Sequence, residues 1–447
     1  MAGSGALTEL IDATPWIDVH EHLVEERHRL GDGAYEFVEV FGEHARIPAG
    51  WAALVVGGYA IDDLVSAGLP DAAAEAFTGD RLGPLEKWDL VAPYLEAARL
   101  TGYMRAVDVS AERLFGVRLA RDTCEHIDAA YRALRRPGYY RHVLNDVANV
   151  ERCQVNSLDV DPFCETELPD LLDQDISVAG LVRGRHPNAE SSSGIDIRTL
   201  DDYTEMIESV FERHAGRAVA VKCFWAYFRS LAVGPAEGPP RRQFERLRRG
   251  DADDGDRRLV EDFLFRRCVE LATAAGLPVK MHLGSLARNR DPHLRDIYSC
   301  VADMTGLVQE YPDTTWVLMH MAWPQQEQLL ALAKHQPNVI VETSWAWTSA
   351  PRSTCEFVQR FLTSVPATKL LCFGADYLTV ENVVGHAELA RRGLQEALEG
   401  LVQARWLTMD DALGLVPLLM RGNAERALPS PGVESPARGR PRLPPRG

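Results

Sequence analysis

The sequence predicts an α/β protein, a (β/α)8 TIM-like barrel with a largely helical insertion after the first strand. Short apolar runs alternate with longer helix-periodic segments from about residue 150 onward. That is the pattern of parallel strands joined by crossover helices. One further run near the N-terminus brings the strands to eight, the number that closes a barrel. A doubly wound open sheet is the alternative arrangement of the same elements. The composition suits a large core: of 447 residues, 46% are hydrophobic, 25% charged and 8% aromatic.

The expected strands are Trp16–Val19, Val150–Asn156, Ile176–Val182, Ala218–Val221, Pro278–Met281, Thr315–Met319, Val339–Val341 and Leu370–Phe373. Between them, Asp201–His214, Leu259–Ala275, Leu294–Glu310 and Gln325–Ala333 carry helical periodicity. Residues 23–140 separate the first strand from the second and read as helical around Leu85–Tyr103 and Leu119–Arg135. They are expected to cover the barrel mouth as part of one domain, residues 1–428. The stretch Val233–Asp256, with GPAEGPPRRQ and RLRRGDADDGD, reads as a surface loop. Pro429–Gly447 is Pro- and Arg-rich with little to bury, the composition of a disordered tail.

Charge narrows the function classes. Asp and Glu total 65 against 48 Lys and Arg, a net charge of −17, which argues against nucleic acid as the main partner. No apolar run spans a bilayer and the opening residues lack a secretory pattern, so a cytoplasmic protein with no membrane partner is expected. Eight scattered cysteines without a CxxC pair read as reduced core thiols. A homo-oligomer is compatible with a large acidic barrel, but no interface is legible.

Polar residues fall at telling places. The first strand ends in Asp18-Val19-His20-Glu21-His22, and residues two apart in a strand project to one side. His20 and His22 are therefore placed to meet on one ion, with Glu21 pointing away. Alone, such a pair is weak evidence. Lys222, His282, His320 and Asp376 each follow a different apolar strand, at the C-terminal face where barrels carry their active sites. That set favours a metal centre over isolated core histidines. His28, His44, His126 and His386 have no such support.

The segments VKCFWAYFRSL, GLPVKMHLGS, WVLMHMAWP, FGADYL and RGNAERAL resemble the amidohydrolase superfamily, closest to its amidohydrolase-2-type branch. That branch includes the amidohydrolase half of nodulin/glutamine-synthetase-like proteins. The resemblance implies His20, His22, His282 and Asp376 as metal ligands. It makes His320 a second-site ligand or a general acid/base, and Lys222 either a carboxylated bridge between two metals or an anion-binding group. It further implies a divalent metal, zinc foremost with Mn, Fe or Ni as alternatives, as one or two ions. The implied catalytic residues are Asp376, moving protons from water, and His320, polarising the group attacked.

The expected reaction is hydrolysis of an amide, cyclic amide or amidine C–N bond in a small, carboxylate-bearing molecule. Non-oxidative decarboxylation or uronate-type isomerisation are alternatives on the same scaffold, and a non-catalytic binding barrel is a third. Trp225, Tyr227, Arg229, Trp323 and Trp345 follow the strands closely enough to contact substrate, Arg229 through a carboxylate. Packing is weighed about evenly with contact for each tryptophan, Trp347 included.

Overall fold

The computed structural model describes residues 2–38, 44–158, 161–235, 238–287 and 298–428. Eight strands form one parallel sheet in sequential order: β1 Trp16–Glu21, β2 Val150–Val155, β3 Leu172–Ser177, β4 Ala218–Cys223, β5 Val279–Met281, β6 Trp316–Leu318, β7 Val339–Glu342 and β8 Leu370–Leu371. Backbone bonds from the chain after β8 close the ring onto β1. Val19 N donates to Phe373 O at 3.0 Å, Asp376 N to His20 O at 2.9 Å, and His22 N to Tyr377 O at 3.0 Å. The molecule is a (β/α)8 barrel, not an open sheet.

Alternation along the strands sorts two cores. Val221, Cys223, Val279, Met281, Val155 and Ile176 face outward into the large strand–helix core. Ile17, Val19, Ala220, Val317 and Leu371 face inward, closed below by Ala424 and Leu428. Inside the barrel, Lys280 Nζ donates to Val19 O, Gln154 Oε1 and Asp175 Oδ2 at 2.8 to 2.9 Å. A buried lysine is tolerable there because three acceptors replace its water shell.

The crossover helix Leu200–His214 shows how sequence makes the outer layer. Thr199 Oγ1 accepts from Asp202 N while Asp202 Oδ2 accepts from Thr199 N, a reciprocal N-terminal cap. Tyr203, Met206, Ile207, Val210 and Phe211 then recur at helical spacing and are all buried.

Two expectations outside the β1–β2 segment need correction. β3 runs Leu172–Ser177, ahead of the expected Ile176–Val182, because its polar residues are paired: Asp175 with Lys280, Asp173 with Arg152 at 3.3 Å. The apolar run that suggested the strand is instead its exit turn and a short 3-10 helix at Leu181–Arg183. Within Val233–Asp256, the helix Arg241–Arg249 stands where a loop was expected. Five of its nine residues are arginine, which masks one buried anchor, Phe244. Arg241, Arg246 and Arg248 pair with Asp201, Asp256 and Glu190.

Between β1 and β2 the chain is largely helical, with a small antiparallel hairpin, Tyr35–Val38 and His44–Ile47, that the sequence did not reveal. The expected helix Leu85–Tyr103 is two helices, Pro84–Ala98 and Gly102–Phe115. The second starts against β7's exit loop, and a Cβ on Gly102 would sit 2.0 Å from Thr348 O. Leu119–Arg135 shortens to Cys124–Leu134, and Leu294–Glu310 is helical over Cys300–Glu310, with residues 288–297 outside the described residues. The tail Pro429–Gly447 also lies outside them. None of the eight cysteines is in a disulfide, and seven are buried. No helix among the described residues is long and apolar enough to cross a membrane.

Candidate metal centre

β1 does not run straight to its histidines. Its register with β2 is irregular between Asp18 and Glu21, which puts Asp18 and Glu21 together on the side away from His20 and His22. Asp18 accepts from His20 N at 3.0 Å and from Ala375 N at 3.2 Å, and Glu21 Oε2 accepts from Tyr377 N at 2.6 Å. These buried carboxyls tie β1 to the chain after β8 by the amides beside the ligands. Burial pushes the Asp18 carboxyl up to about 7, and burial beside Asp18 pushes Glu21 well above its usual range. The pair therefore holds a proton at neutral pH.

Across this junction three donor atoms meet. His20 Nε2 and His22 Nε2 each lie 3.2 Å from Asp376 Oδ1, and all three ligand atoms fall within 4.8 Å of one another. His22 Nδ1 donates to Asn156 O at 2.6 Å, leaving the Nε2 lone pair for an ion. Burial and nearby Lys222 hold His20 well below its usual value, hence neutral. Burial opposes ionisation of Asp376, but His20 and His22 overcome it and hold the carboxyl well below its ordinary range. Two imidazoles and a carboxylate are a fitting donor set for a divalent transition metal.

The approach of β8 to β1 and β7 needs Gly374, where a Cβ would lie 2.5 Å from Ser344 Cβ and 3.0 Å from His20 N. The site also concentrates unusual backbone. His320, Met321, Ala322, Trp345, Asp376 and Tyr59 all have φ between 45° and 65°, conformations that persist only when surrounding structure enforces them.

His282 and His320 pair with each other beside the three-ligand cluster. His320 Nδ1 lies 2.9 Å from Ser344 O and His282 Nε2 lies 3.0 Å from Ser285 O. A carbonyl only accepts, so both of those nitrogens carry hydrogen in the neutral rings. The remaining lone pairs, on His320 Nε2 and His282 Nδ1, then face each other at 2.9 Å. Burial lowers both rings, His282 well below its usual value and His320 to about 4. Two lone pairs at that separation repel unless a proton or metal ion joins them. His320 Nε2 is also 4.0 Å from Asp376 Oδ2.

Lys222 is fully buried, its Nζ 3.4 Å from His20 Nε2 and 2.9 Å from Met319 Sδ. Burial lowers it to about 8, against the opposing pull of Asp376 and Glu342, which suits either carboxylation or a cationic contact. Glu342 was not anticipated. It ends β7, accepts from Ser344 N and from His320 N at 3.4 Å, and burial raises it to about 7. Its place at a strand's C-terminal end was the available signal. Tyr59 was also missed: it lies in the segment between β1 and β2, and its hydroxyl donates to Asp376 O at 2.7 Å. No sequence pattern marks it.

The expected substrate contacts divide. Trp345 stands at the mouth, its ring 5.8 Å from His320 and against Tyr59 and Tyr103. Tyr227 packs 4.9 Å from the His282 ring, and its hydroxyl accepts from Ala287 N. Trp323 is half-buried against the strand–helix core, with its carbonyl accepting from Ser285 N at 2.8 Å. Trp225 and Arg229 are corrected. After β4 the chain turns outward, and Trp225 is buried against Phe265. Arg229 lies over the Trp225 ring and pairs with Glu261 at 2.9 Å and Asp262 at 2.6 Å. Its charge is spent on the helix Asp254–Ala274, away from the mouth. Trp347 is likewise buried, donating to Cys372 O.

Residues 230–429, which carry His282, His320 and Asp376, match the Amidohydrolase family model. Over that stretch the chain is similar to amidohydrolase-2-type proteins. Protein fluG of Emericella nidulans is 26% identical over 177 residues, 37% of this chain and 20% of that protein's length. Glucuronate isomerase from Caulobacter crescentus shares the fold with a TM-score of 0.75 at 16% identity, over 98% of this chain and 96% of that one. Uronate isomerase from Thermotoga maritima does so with a TM-score of 0.75 at 14% identity, over 96% and 97%. The likeness to these two isomerases shows the (β/α)8 fold over nearly the whole chain.

Proposed function

We propose that the protein is a metal-dependent hydrolase that cleaves an amide, cyclic amide or amidine C–N bond in a small, carboxylate-bearing molecule. The convergence of His20, His22 and Asp376 carries this reading. A divalent metal at such a set, zinc foremost, supplies acidified water and a Lewis-acid contact to a substrate oxygen. His20 and His22 hold the ion. Asp376 takes the proton from water and returns it to the leaving nitrogen. His320 would contact the attacked group, and Lys222 would either meet the substrate carboxylate or, carboxylated by CO2 with loss of a proton, help His282 and His320 hold a second ion. Tyr59, Tyr103 and Trp345 wall the mouth and exclude water.

A second reading, uronate isomerisation, has its own support. The likeness to uronate isomerases spans nearly the whole chain, including the segment between β1 and β2, whereas the family match covers 230–429. A substrate panel read by mass spectrometry separates the readings. Hydrolysis adds one water, isomerisation of glucuronate or galacturonate leaves mass unchanged, and decarboxylation loses carbon dioxide. Turnover of uronates with no amide hydrolysed would replace the first reading with the second.

A further inference from the structure

β2 and β3 supply no side chain to the His20, His22 and Asp376 cluster, yet their ends carry buried polar groups. Gln154 of β2 and Asp175 of β3 point into the barrel, since both bond to Lys280. With period two, Asn156 and Ser177 are the next inward positions toward the C-terminal mouth. Asn156 N still donates to Glu21 O at 2.8 Å, so the chain keeps strand pairing there. Ser177 is in register with Lys222, and Asn156 O holds His22. Both side chains therefore stand beside the site, on its β2–β3 flank.

Both are also unsatisfied. Asn156 is fully buried, and neither its Nδ2 nor its Oδ1 has a hydrogen-bond partner among the described residues. Ser177 Oγ, in a residue 4% exposed, has none either. Buried polar atoms are nearly always paired, and leaving them unpaired destabilises a fold. A residue retained only for packing at these positions would be served better by an apolar side chain. The lower layer makes the contrast: Gln154 is bonded at Oε1 and at Nε2.

We infer that Asn156 and Ser177 form a substrate-contacting wall that reads a neutral group able both to donate and to accept a hydrogen bond, a hydroxyl foremost. The carboxamide offers one donor and one acceptor, and the serine hydroxyl offers either. Lys222, in register with Ser177, supplies a charge on that flank. A ligand with an anionic end and a neutral hydroxyl would satisfy all three. Specificity then comes from the wall: a site with unpaired polar groups rejects an analogue lacking the hydroxyl more strongly than an apolar pocket does. The inference deepens the hydrolase reading but does not depend on which bond is cleaved.

The test is calorimetric titration of the metal-loaded protein with glycerate and with propanoate, which differ only in hydroxyls. The wild type is expected to bind glycerate at least about tenfold tighter, and Asn156→Leu and Ser177→Ala are expected to erase most of that preference with metal content unchanged. Asn156→Leu should also raise the thermal midpoint of the ligand-free protein, because it removes two unpaired buried atoms. A structural role predicts the reverse. Equal affinity for the two acids in the wild type, or a preference that survives both substitutions, overturns the inference. So does a lowered midpoint in Asn156→Leu; if that variant fails to fold, Ser177→Ala alone decides. Because binding is read without turnover, failure of the hydrolase reading in the substrate panel leaves this result standing on its own.

Discussion

Asp376 enters the site with φ of 65°, its carbonyl held by Tyr59 and its Oδ1 shared between His20 and His22. An ionised carboxylate in that position can both ligate a metal and exchange protons, and substitution separates the two proposed roles. Asp376→Asn keeps an oxygen ligand and loses the base. It should retain the fold and much of the metal while turnover falls about 10²–10⁴-fold. Near-normal turnover would reduce Asp376 to a turn former. Glu342 gives a pH prediction. Its carboxyl rises from 4.5 to about 7 in the folded protein, so between those values the folded state holds a proton that the unfolded chain has released. The resulting stabilisation is fully present below pH 4.5 and is lost as pH rises through 7, on the order of 3 kcal/mol in all. Urea denaturation of the metal-free protein should show stability falling across that window and falling less in Glu342→Gln. Asp18 and Glu21 shift the same way, so the slope should shrink without vanishing. A slope unchanged by the substitution would contradict the assignment.

At the scale of elements, what was legible followed apolar periodicity. Seven of the eight strands lie on the apolar runs that announced them, and the residues after those runs gather at one mouth. The exception, β3, buries Asp173 and Asp175 through partners on other strands. Pairing at that range leaves no local trace. The helix Arg241–Arg249 was hidden in the same way by arginines whose carboxylates lie elsewhere in the chain. The positive-φ positions of Tyr59, His320 and Trp345 are set by tertiary packing and carry no glycine to mark them. Arg229 shows how proximity in sequence misleads. It follows Lys222 by seven residues, but its two ion pairs and its ring contact fix the outer helix Asp254–Ala274. Arg229→Ala should therefore lower stability by about 1–3 kcal/mol, as expected when charge-assisted hydrogen bonds of a partly buried arginine are lost. The Michaelis constant should stay near its wild-type value. A large rise in that constant with unchanged stability would return Arg229 to the mouth.

For the whole molecule, a closed ring of parallel strands delivers side chains from distant parts of the sequence to one end. Lys222, His282, His320, Glu342 and Asp376 come from β4 to β8, and His20 and His22 from β1, so no stretch of chain contains the site. The account stands on that end of the barrel holding a metal. Elemental analysis of the purified, dialysed protein and of the His20→Ala/His22→Ala variant tests it most directly. The account predicts about one or two equivalents of a divalent transition metal in the wild type. The double variant should lose it with its circular dichroism unchanged. Wild-type metal content in the folded double variant, or full activity in metal-free wild-type protein, would contradict it.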